Sequence, residues 1–523
     1  MKDVDTPVEQ PVDLVNILAA GLQKGPDDIA LVSRRAKLTW RELEEMSLRL
    51  ARSYLAHGLK PGDRIASLMP NRWELIVHYL ACIKAGLVVT PLNYRYMAPE
   101  IDHALRLSGA VVLVSHAERA EDLAETELVA KLPLGTISYN AETAGSPCLE
   151  DMLKAEHPDI ELPVPDPDAP HMIFFTSGST GKPKGVTHTL NTMGWMCRHF
   201  IDTLEIREED VLLPGSSVSH VGGFVFSLSL LLRGARLIVA RSFDGDEILP
   251  ILREFKPTIL CMISAALFEL VRDRHGTHDD FSSLRLCIAG GDKISGVLEQ
   301  EFIKKAGIIA SELYGMTEIG MSHYNRDKTL DHLGSIGTVA KGFEAAVRDD
   351  DGKEVPDDVP DRLWVRANCT TVGYWENEAA TNEAYDQDGW FDTGDVVKRD
   401  ANGFFWFCGR KKQIIVHDGS NICPQEVEEA LQDHAAVRQA GVVGIHDLVH
   451  GENVVAYVTL EPGETAPTAA ELIAFARTKV GYKAPEEIVF LSEMPFNASG
   501  KTDRVTLKRL AEEAHRIHEV AAE

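Results

Sequence analysis

The period of apolar and polar positions changes repeatedly along the chain. Thr39-Trp-Arg-Glu42 has the spacing of a capping box, and Leu43, Met46, Leu50 and Tyr54 then recur at helical intervals. Pro61-Gly62 interrupts the chain, and Arg64 to Leu68 follows as a short apolar run suited to a buried strand. Trp73 to Lys84 returns to a helical pattern, Gly86 ends it, and Leu87 to Pro91 reads as the next strand. This strand–helix–strand order predicts a largely parallel sheet covered by helices. Met172 to Phe175, Leu237 to Ala240, Thr258 to Met262 and Leu284 to Ala289 continue the alternation. Between the first strands and these, His157 to Pro170 is acidic and holds five prolines, which excludes a regular helix and predicts a surface crossing between sub-domains. After Asp349 the texture turns strand-like and turn-rich, and it shifts again near Gly409. The last hundred-odd residues suit a small α+β unit.

The length of 523 residues suits about three structural units. A hydrophobic fraction of 44% and a charged fraction of 25% are those of a globular chain, which excludes disorder or coiled coil as a whole-chain description. The charge narrows the partners. With 80 acidic residues against 53 Lys and Arg, the net charge of −27 opposes non-specific coating of nucleic acid or anionic membranes. No nucleic-acid partner is expected. The eight cysteines form no C-x-x-C pair, which speaks against a zinc ribbon and suits a reducing compartment. Met1 to Pro11 has no signal-peptide core, no apolar run approaches the ~18 residues of a membrane span, and Ala-Ala-Glu at the end is no targeting signal. A cytoplasmic protein without a transmembrane segment is expected.

Local exceptions to the acidity mark candidate anion sites. No Asp or Glu lies between Ala169 and Ile201, between Val211 and Phe243, or between Gly409 and His417. These windows hold Lys182, Lys184, Arg198, Arg233, Arg236, Arg241, Arg410, Lys411 and Lys412. The first contains Thr176-Ser-Gly-Ser-Thr-Gly-Lys-Pro-Lys-Gly185, directly after a predicted strand. Glycines there let backbone N–H groups converge on a phosphate, hydroxyls add donors and lysines supply charge. It is not a Walker A loop, because Pro183 follows Gly181-Lys182.

This stretch resembles the signature of the adenylate-forming (ANL) superfamily, and other segments resemble the family's motifs in the expected order over roughly residues 30–510. Tyr314-Gly-Met-Thr-Glu318 resembles the second core motif, Ala289-Gly-Gly-Asp292 the glycine segment beside the acyl and adenine pockets, and Trp390 to Asp395 the T-G-D motif. Gly409-Arg-Lys-Lys412 resembles the hinge, Gly419 to Val427 the loop and helix start beyond it, and Asn497 to Arg504 the C-terminal catalytic motif. The resemblance implies an α/β fold: a large N-terminal adenylation domain over 1–409, with doubly wound parallel-type sheets plus a small β-rich sub-domain, a hinge at 410–413, and a small mobile α+β C-terminal domain over 414–523.

The roles it implies follow motif by motif. Thr176, Ser177, Gly178, Ser179, Thr180, Gly181 and Lys184 would cradle the phosphates of ATP, with Gly290, Gly291 and Tyr314 at adenine and Asp395 and Arg410 at the ribose. Thr317 would meet a phosphate, Glu318 would hold Mg²⁺, and Lys501 would be the catalytic lysine. His220 would stand between the carboxyl site and the coenzyme A channel, with Gly419 also on that channel, and Lys412 would be the pivot. Gln413 and His417-Asp418 depart from the more frequent acidic residue and Ser-Gly.

The activity implied is that of an acyl-CoA synthetase: carboxylate and ATP give acyl-AMP and pyrophosphate, and acyl-AMP and coenzyme A give acyl-CoA and AMP. The partners expected are therefore a small carboxylic acid, ATP and coenzyme A, and a homodimer is compatible with the sequence. Gly315 stands where acetate-type members carry Trp, and Gly222, Gly223, Ser227, Ala265 and Ala266 are small. A medium- or long-chain fatty acid is therefore favoured, with an aryl or alicyclic acid second. No basic residue stands out to hold a second carboxylate. An acyl-AMP ligase serving a carrier protein is the alternative for the acceptor.

Overall fold

A computed structural model describes residues 10–141, 147–176, 183–290, 296–327, 331–417, 420–447, 450–463, 466–497 and 501–522. Two large sheets dominate it. One has seven strands, with Arg64–Leu68, Val88–Pro91, Val112–His116, Thr136–Tyr139 and Pro170–Thr176 parallel to one another. The other has nine, with a parallel centre of Ile29–Val32, Arg236–Ile238, Val211–Gly215, Ile259–Ile263, Leu286–Gly290 and Ala310–Met316. The mixed α/β class expected from the alternation is observed. The helix Trp40–Ala56 begins with Thr39 and Glu42 in a reciprocal capping box. Trp73–Lys84 is buried on nearly all sides, so its apolar residues surround the helix rather than forming one stripe.

Both large sheets depart from the parallel expectation at their ends. Lys184–Thr189 runs antiparallel to Pro170–Thr176, and Gly320–Tyr324 runs antiparallel to Ala310–Met316. The cause is chain length. Seven residues separate Thr176 from Lys184 and three separate Met316 from Gly320, whereas a parallel return needs a crossover of a dozen or more. The two motif-rich segments thus each join antiparallel neighbours.

Glu344–Arg348, Asp361–Arg366, Phe391–Arg399 and Phe405–Arg410 form the antiparallel four-stranded sheet expected from the texture after Asp349. Beyond Gly409, strands from Ile415–His417 to Glu487–Phe490 build a last sheet, covered by the helices Pro424–Gln432, Ala469–Val480 and Arg504–Ala522. It has apolar cores of its own, one around Ile415, Val442, Val454 and Leu472 and one around Tyr457, Met494 and Leu507. A unit with its own core can move as a body.

Among the described residues no helix is long and apolar enough to cross a membrane.

Candidate active site

The predicted residues come from strands of the large part, the turn after Ala310–Met316, the start of one helix and one loop of the C-terminal unit. Tyr314, buried on Ala310–Met316, donates its hydroxyl to Asp395 Oδ2 at 2.7 Å. Asp395 lies on Phe391–Arg399, directly across from Arg410 in register, and Arg410 Nε is 3.3 Å from Asp395 Oδ1. Burial pushes the Asp395 carboxyl above its ordinary range, and the charges of Arg410 and Lys501 together with the Tyr314 hydrogen bond pull against it. The charge of Lys501, on the loop of the C-terminal unit, thus reaches this carboxylate.

Thr317 and Glu318 form the tip of the second hairpin. The Thr317 carbonyl is 2.9 Å from Nε2 of buried His188, whose pKa burial lowers to about 4, so the ring is neutral at pH 7 and donates there. Glu318 Oε1 accepts from the Tyr374 hydroxyl at 3.0 Å. Its other oxygen, Oε2, is buried and has no hydrogen-bond partner among the described residues. Burial raises the Glu318 pKa, and Arg410 and Lys184 act in the opposite direction. Lys184 Nζ stands 4.5 Å above the Tyr374 ring, a cation–π contact that ties the phosphate hairpin to Glu318 through one tyrosine. A buried carboxylate oxygen lacking a donor suits a hard cation, and Mg²⁺ often takes only one or two protein carboxylates beside phosphates and water.

His220 immediately precedes the helix Val221–Leu232, without a side-chain bond to the helix's first N–H groups. Its pKa falls to about 4 through burial, with the charges of Lys501 and Arg95 adding to the effect. The charge of Lys501 therefore reaches His220 as well as Asp395, linking three groups separated by up to 281 positions in the chain. The loop that presents Lys501 is closed by two bonds with Asn497, Lys501 N to Oδ1 at 3.1 Å and Asn497 N to Lys501 O at 2.8 Å. Arg504 anchors it through Nη2 to Glu428 Oε1 and Oε2 at 2.8 and 2.6 Å, while Glu428 Oε1 also accepts from Val442 N.

Thr176 ends its strand opposite Lys184, and Gly290 ends Leu286–Gly290 with Leu313 3.2 Å from where a Cβ would stand. Lys412 is exposed in the single turn Lys411–Gln413. Ser177, Gly178, Ser179, Thr180, Gly181, Gly291 and Gly419 lie outside the described residues. Three neighbours were missed from the sequence: His188, Tyr374 and Arg95. A polar histidine in the apolar strand Lys184–Thr189 and the Gly373-Tyr-Trp375 run were the available signals, while Arg95 had none.

Two expectations need correction. The acid-free windows are not acid-free in space. Arg198 pairs with Asp202 at 2.9 Å, Arg241 pairs with Glu118, and Lys411 pairs with Asp350. Of the windows' described cations, Lys184 and Arg410 are those that act on the Glu318 site. The small residues also do different work from lining a cavity. Ser227 is fully buried and bonds Gly223 O in its own helix, Ala266 sits in a core cluster, and a Cβ at Gly223 would meet Ser217 O at 2.4 Å. Gly222 does open on free space, and the side chain of Ala265 lies outside the described ones. At Gly315 a Cβ would lie 2.1 Å from Gly320 O, so the hairpin itself excludes a side chain.

The AMP-binding enzyme family model matches residues 18–375, and the AMP-binding enzyme C-terminal domain model matches 426–501. A feruloyl-CoA synthase from Amycolatopsis sp is 31% identical over 90% of this chain and 94% of its own length. A long-chain-fatty-acid–CoA ligase from Bacillus subtilis is 30% identical over 99% of this chain and 98% of its own. ATP-bound MatB from Rhodopseudomonas palustris superposes with a TM-score of 0.86 at 26% identity, covering 95% of this chain and 98% of that one. The chain belongs to the AMP-binding enzyme family, in the acyl-CoA synthetase branch of the adenylate-forming superfamily.

Proposed function

We propose that this AMP-forming acid–CoA ligase activates a medium- or long-chain fatty acid, or with second preference an aryl or alicyclic acid, in the cytoplasm. The observation that carries the catalytic reading is the convergence of Lys501, His220 and Asp395 on one site.

A carboxylate does not acylate a thiol in water, because its oxygen is a poor leaving group. ATP solves this by making that oxygen part of a mixed carboxylic–phosphoric anhydride. In the first half-reaction a carboxylate oxygen forms a bond to the α-phosphorus, and the bond from that phosphorus to pyrophosphate breaks. Both reactants are anions, so fixed positive charge where they meet lowers the barrier, and alignment lowers it further. Lys501 bridges the carboxylate and the α-phosphate. Asp395, held by Tyr314 and Arg410, accepts from the ribose hydroxyls and sets the distance of the α-phosphate from Lys501. Lys184 and the hairpin loop receive the outer phosphates. Glu318 would hold Mg²⁺ through its unpartnered oxygen, and the ion would supply neutralising charge at the phosphates. In the second half-reaction the coenzyme A sulfur attacks the acyl carbonyl, AMP leaves, and the thiol proton passes to solvent. Neutral His220 adds no charge beside the acyl group. A hinge at 410–413 turns the unit over 414–523 away so that the thiol can enter, a transition of the domain-rotation type.

Space at Gly222 supports an extended or cyclic acyl group. The relatives' names span feruloyl and long-chain fatty acyl substrates at near-equal identity, so both classes belong in the test. Arg95, whose charge reaches His220, changes the sequence expectation that no cation is available to a second acidic group. Pyrophosphate release is measured across fatty, aryl and dicarboxylic acids, with coenzyme A, acyl carrier protein or neither. Fast release with a fatty acid and product formation with coenzyme A are expected. A preference for a dicarboxylate overturns the substrate reading, and transfer to carrier protein alone overturns the acceptor.

A further inference from the structure

A second meeting point of the two parts of the chain lies away from the hinge. The turn Glu269–Asp273 of the large part presents Arg272 and Asp273. The C-terminal unit presents Arg438, at the start of Val437–Asp447, and Glu461, whose N–H bonds Ala436 O beside it. Arg272 Nη1 donates to Glu461 Oε1 at 2.6 Å, and Arg438 Nη2 donates to Asp273 Oδ2 at 2.7 Å. Arg438 Nη1 is also 3.8 Å from Glu461 Oε2. Both guanidinium groups flank the Phe268 ring, at 4.8 and 5.1 Å from its centre, and Glu301 grips Arg272 from behind at 2.7 and 3.1 Å. Two crossed ion pairs sharing one carboxylate and one aromatic ring define an orientation, not merely an attraction.

The same strand leads to the catalytic loop. Three residues after Arg438, Gly441 packs so closely that a Cβ there would meet Leu507 at 2.5 Å and Thr502 at 3.1 Å, and Thr502 is next to Lys501. One residue further, Val442 N bonds Glu428, which holds Arg504. The clasp and the Lys501 loop are therefore parts of one rigid piece.

We propose that Arg438 and Glu461, clasped by Arg272 and Asp273, are positioning residues that dock the C-terminal unit with Lys501 in the site and so favour acyl-AMP formation over thioester formation. This rests on Lys501 serving the first half-reaction. Uncatalysed re-docking is not required: the pairs are partly exposed, so they can be exchanged for water when the unit turns.

The two half-reactions are measured separately, with the acid that gives fastest pyrophosphate release and with its synthetic adenylate. Glu461→Gln and Arg438→Gln should each slow adenylation about three- to tenfold, the scale of a modest coupling between sites. Thioester formation from supplied adenylate should be unchanged or faster. The exchanged pair Asp273→Arg with Arg438→Asp should recover part of the adenylation rate. Cleavage by trypsin at exposed Lys411 and Lys412 in ligand-free protein should be faster in Glu461→Gln at an unchanged melting temperature. This arm needs no acid, so it tests docking even if Lys501→Ala shows the lysine to be dispensable. Equal loss of both half-reactions, unchanged adenylation, no recovery in the exchanged pair, or unchanged cleavage overturns the proposal.

Discussion

The two sides of the candidate site are built on opposite principles. The large part holds its carboxylates buried, Asp395 mid-strand in Phe391–Arg399 and Glu318 in the turn after Ala310–Met316, each with one oxygen engaged by a tyrosine, at 2.7 and 3.0 Å. The C-terminal unit brings a lysine on a loop and anchors that loop within the unit, through Asn497 and the Arg504–Glu428 pair. Buried carboxylates cannot relocate without exposing a costly unpaired charge. A lysine on a separately folded unit can leave with that unit. On the proposed mechanism the difference lets one site serve two steps: the fixed carboxylates would keep the nucleotide through both, and the lysine proposed for the first step alone sits on a part that can be withdrawn.

Lys501→Ala tests that division most severely. Acyl-AMP formation should fall at least about 100-fold, as for loss of a charge at a developing anion, while thioester formation from supplied acyl-AMP stays largely intact. Equal loss in both would break the division. On the fixed side, Asp395→Asn should weaken ATP in both directions of the first step by roughly tenfold or more, because the hydrogen-bonded carboxylate is replaced beside Arg410. Tyr314→Phe, which removes the donor and keeps the ring, should cost less, about three- to tenfold in the Michaelis constant for ATP. The reverse order would mean that Tyr314, not Asp395, carries the ribose contact. Lys412→Pro should slow the second half-reaction more than the first, by about tenfold, since proline restricts backbone dihedrals at the proposed pivot.

Acid stability sharpens the contrast further. Burial lowers the pKa of His188, His199 and His220 to about 4 and of His78 and His323 to about 3. The unfolded chain takes up these protons near pH 6.5. Stability from the neutral rings is thus complete above that value and lost as pH falls towards 4. The urea midpoint should drop between pH 7 and 5, each proton contributing up to about 1.4 kcal/mol per pH unit. All five rings belong to the large part, so its transition should move while that of the C-terminal unit moves less. The smallest effect expected is that of salt. Raising it across the physiological range should change the Michaelis constant for ATP by less than about twofold, because the local charges lie within a Debye length of the nucleotide. A steep dependence would show that the net charge of −27 governs binding after all.

The legible part of the site was that carried by contiguous residues. The turn Thr317-Glu318, Asp395, Arg410 and Lys501 were each readable because each lies in a short contiguous motif that resembles one of the adenylate-forming superfamily, in the expected order along the chain. Arg241 shows where such reading stops. It lies in a stretch of sequence free of acids, yet Glu118, 123 positions away, neutralises it. Ser227 and Ala266 show the same limit for size: a small residue marks space only if nothing else fills it, and here helix and core fill it.

By itself the sequence determined the α/β alternation, the order of the motifs and the positions of the chemically competent residues. Periodicity and turn chemistry act over a few residues, so they can be read from one stretch at a time. Only the tertiary structure decided which charges are neutralised by distant partners, that both motif segments join antiparallel neighbours, and that Arg438 and Glu461, on the unit that carries Lys501, clasp Arg272 and Asp273. Those facts depend on Coulomb interactions and packing between segments that approach only after folding, and no local pattern encodes the distance between them.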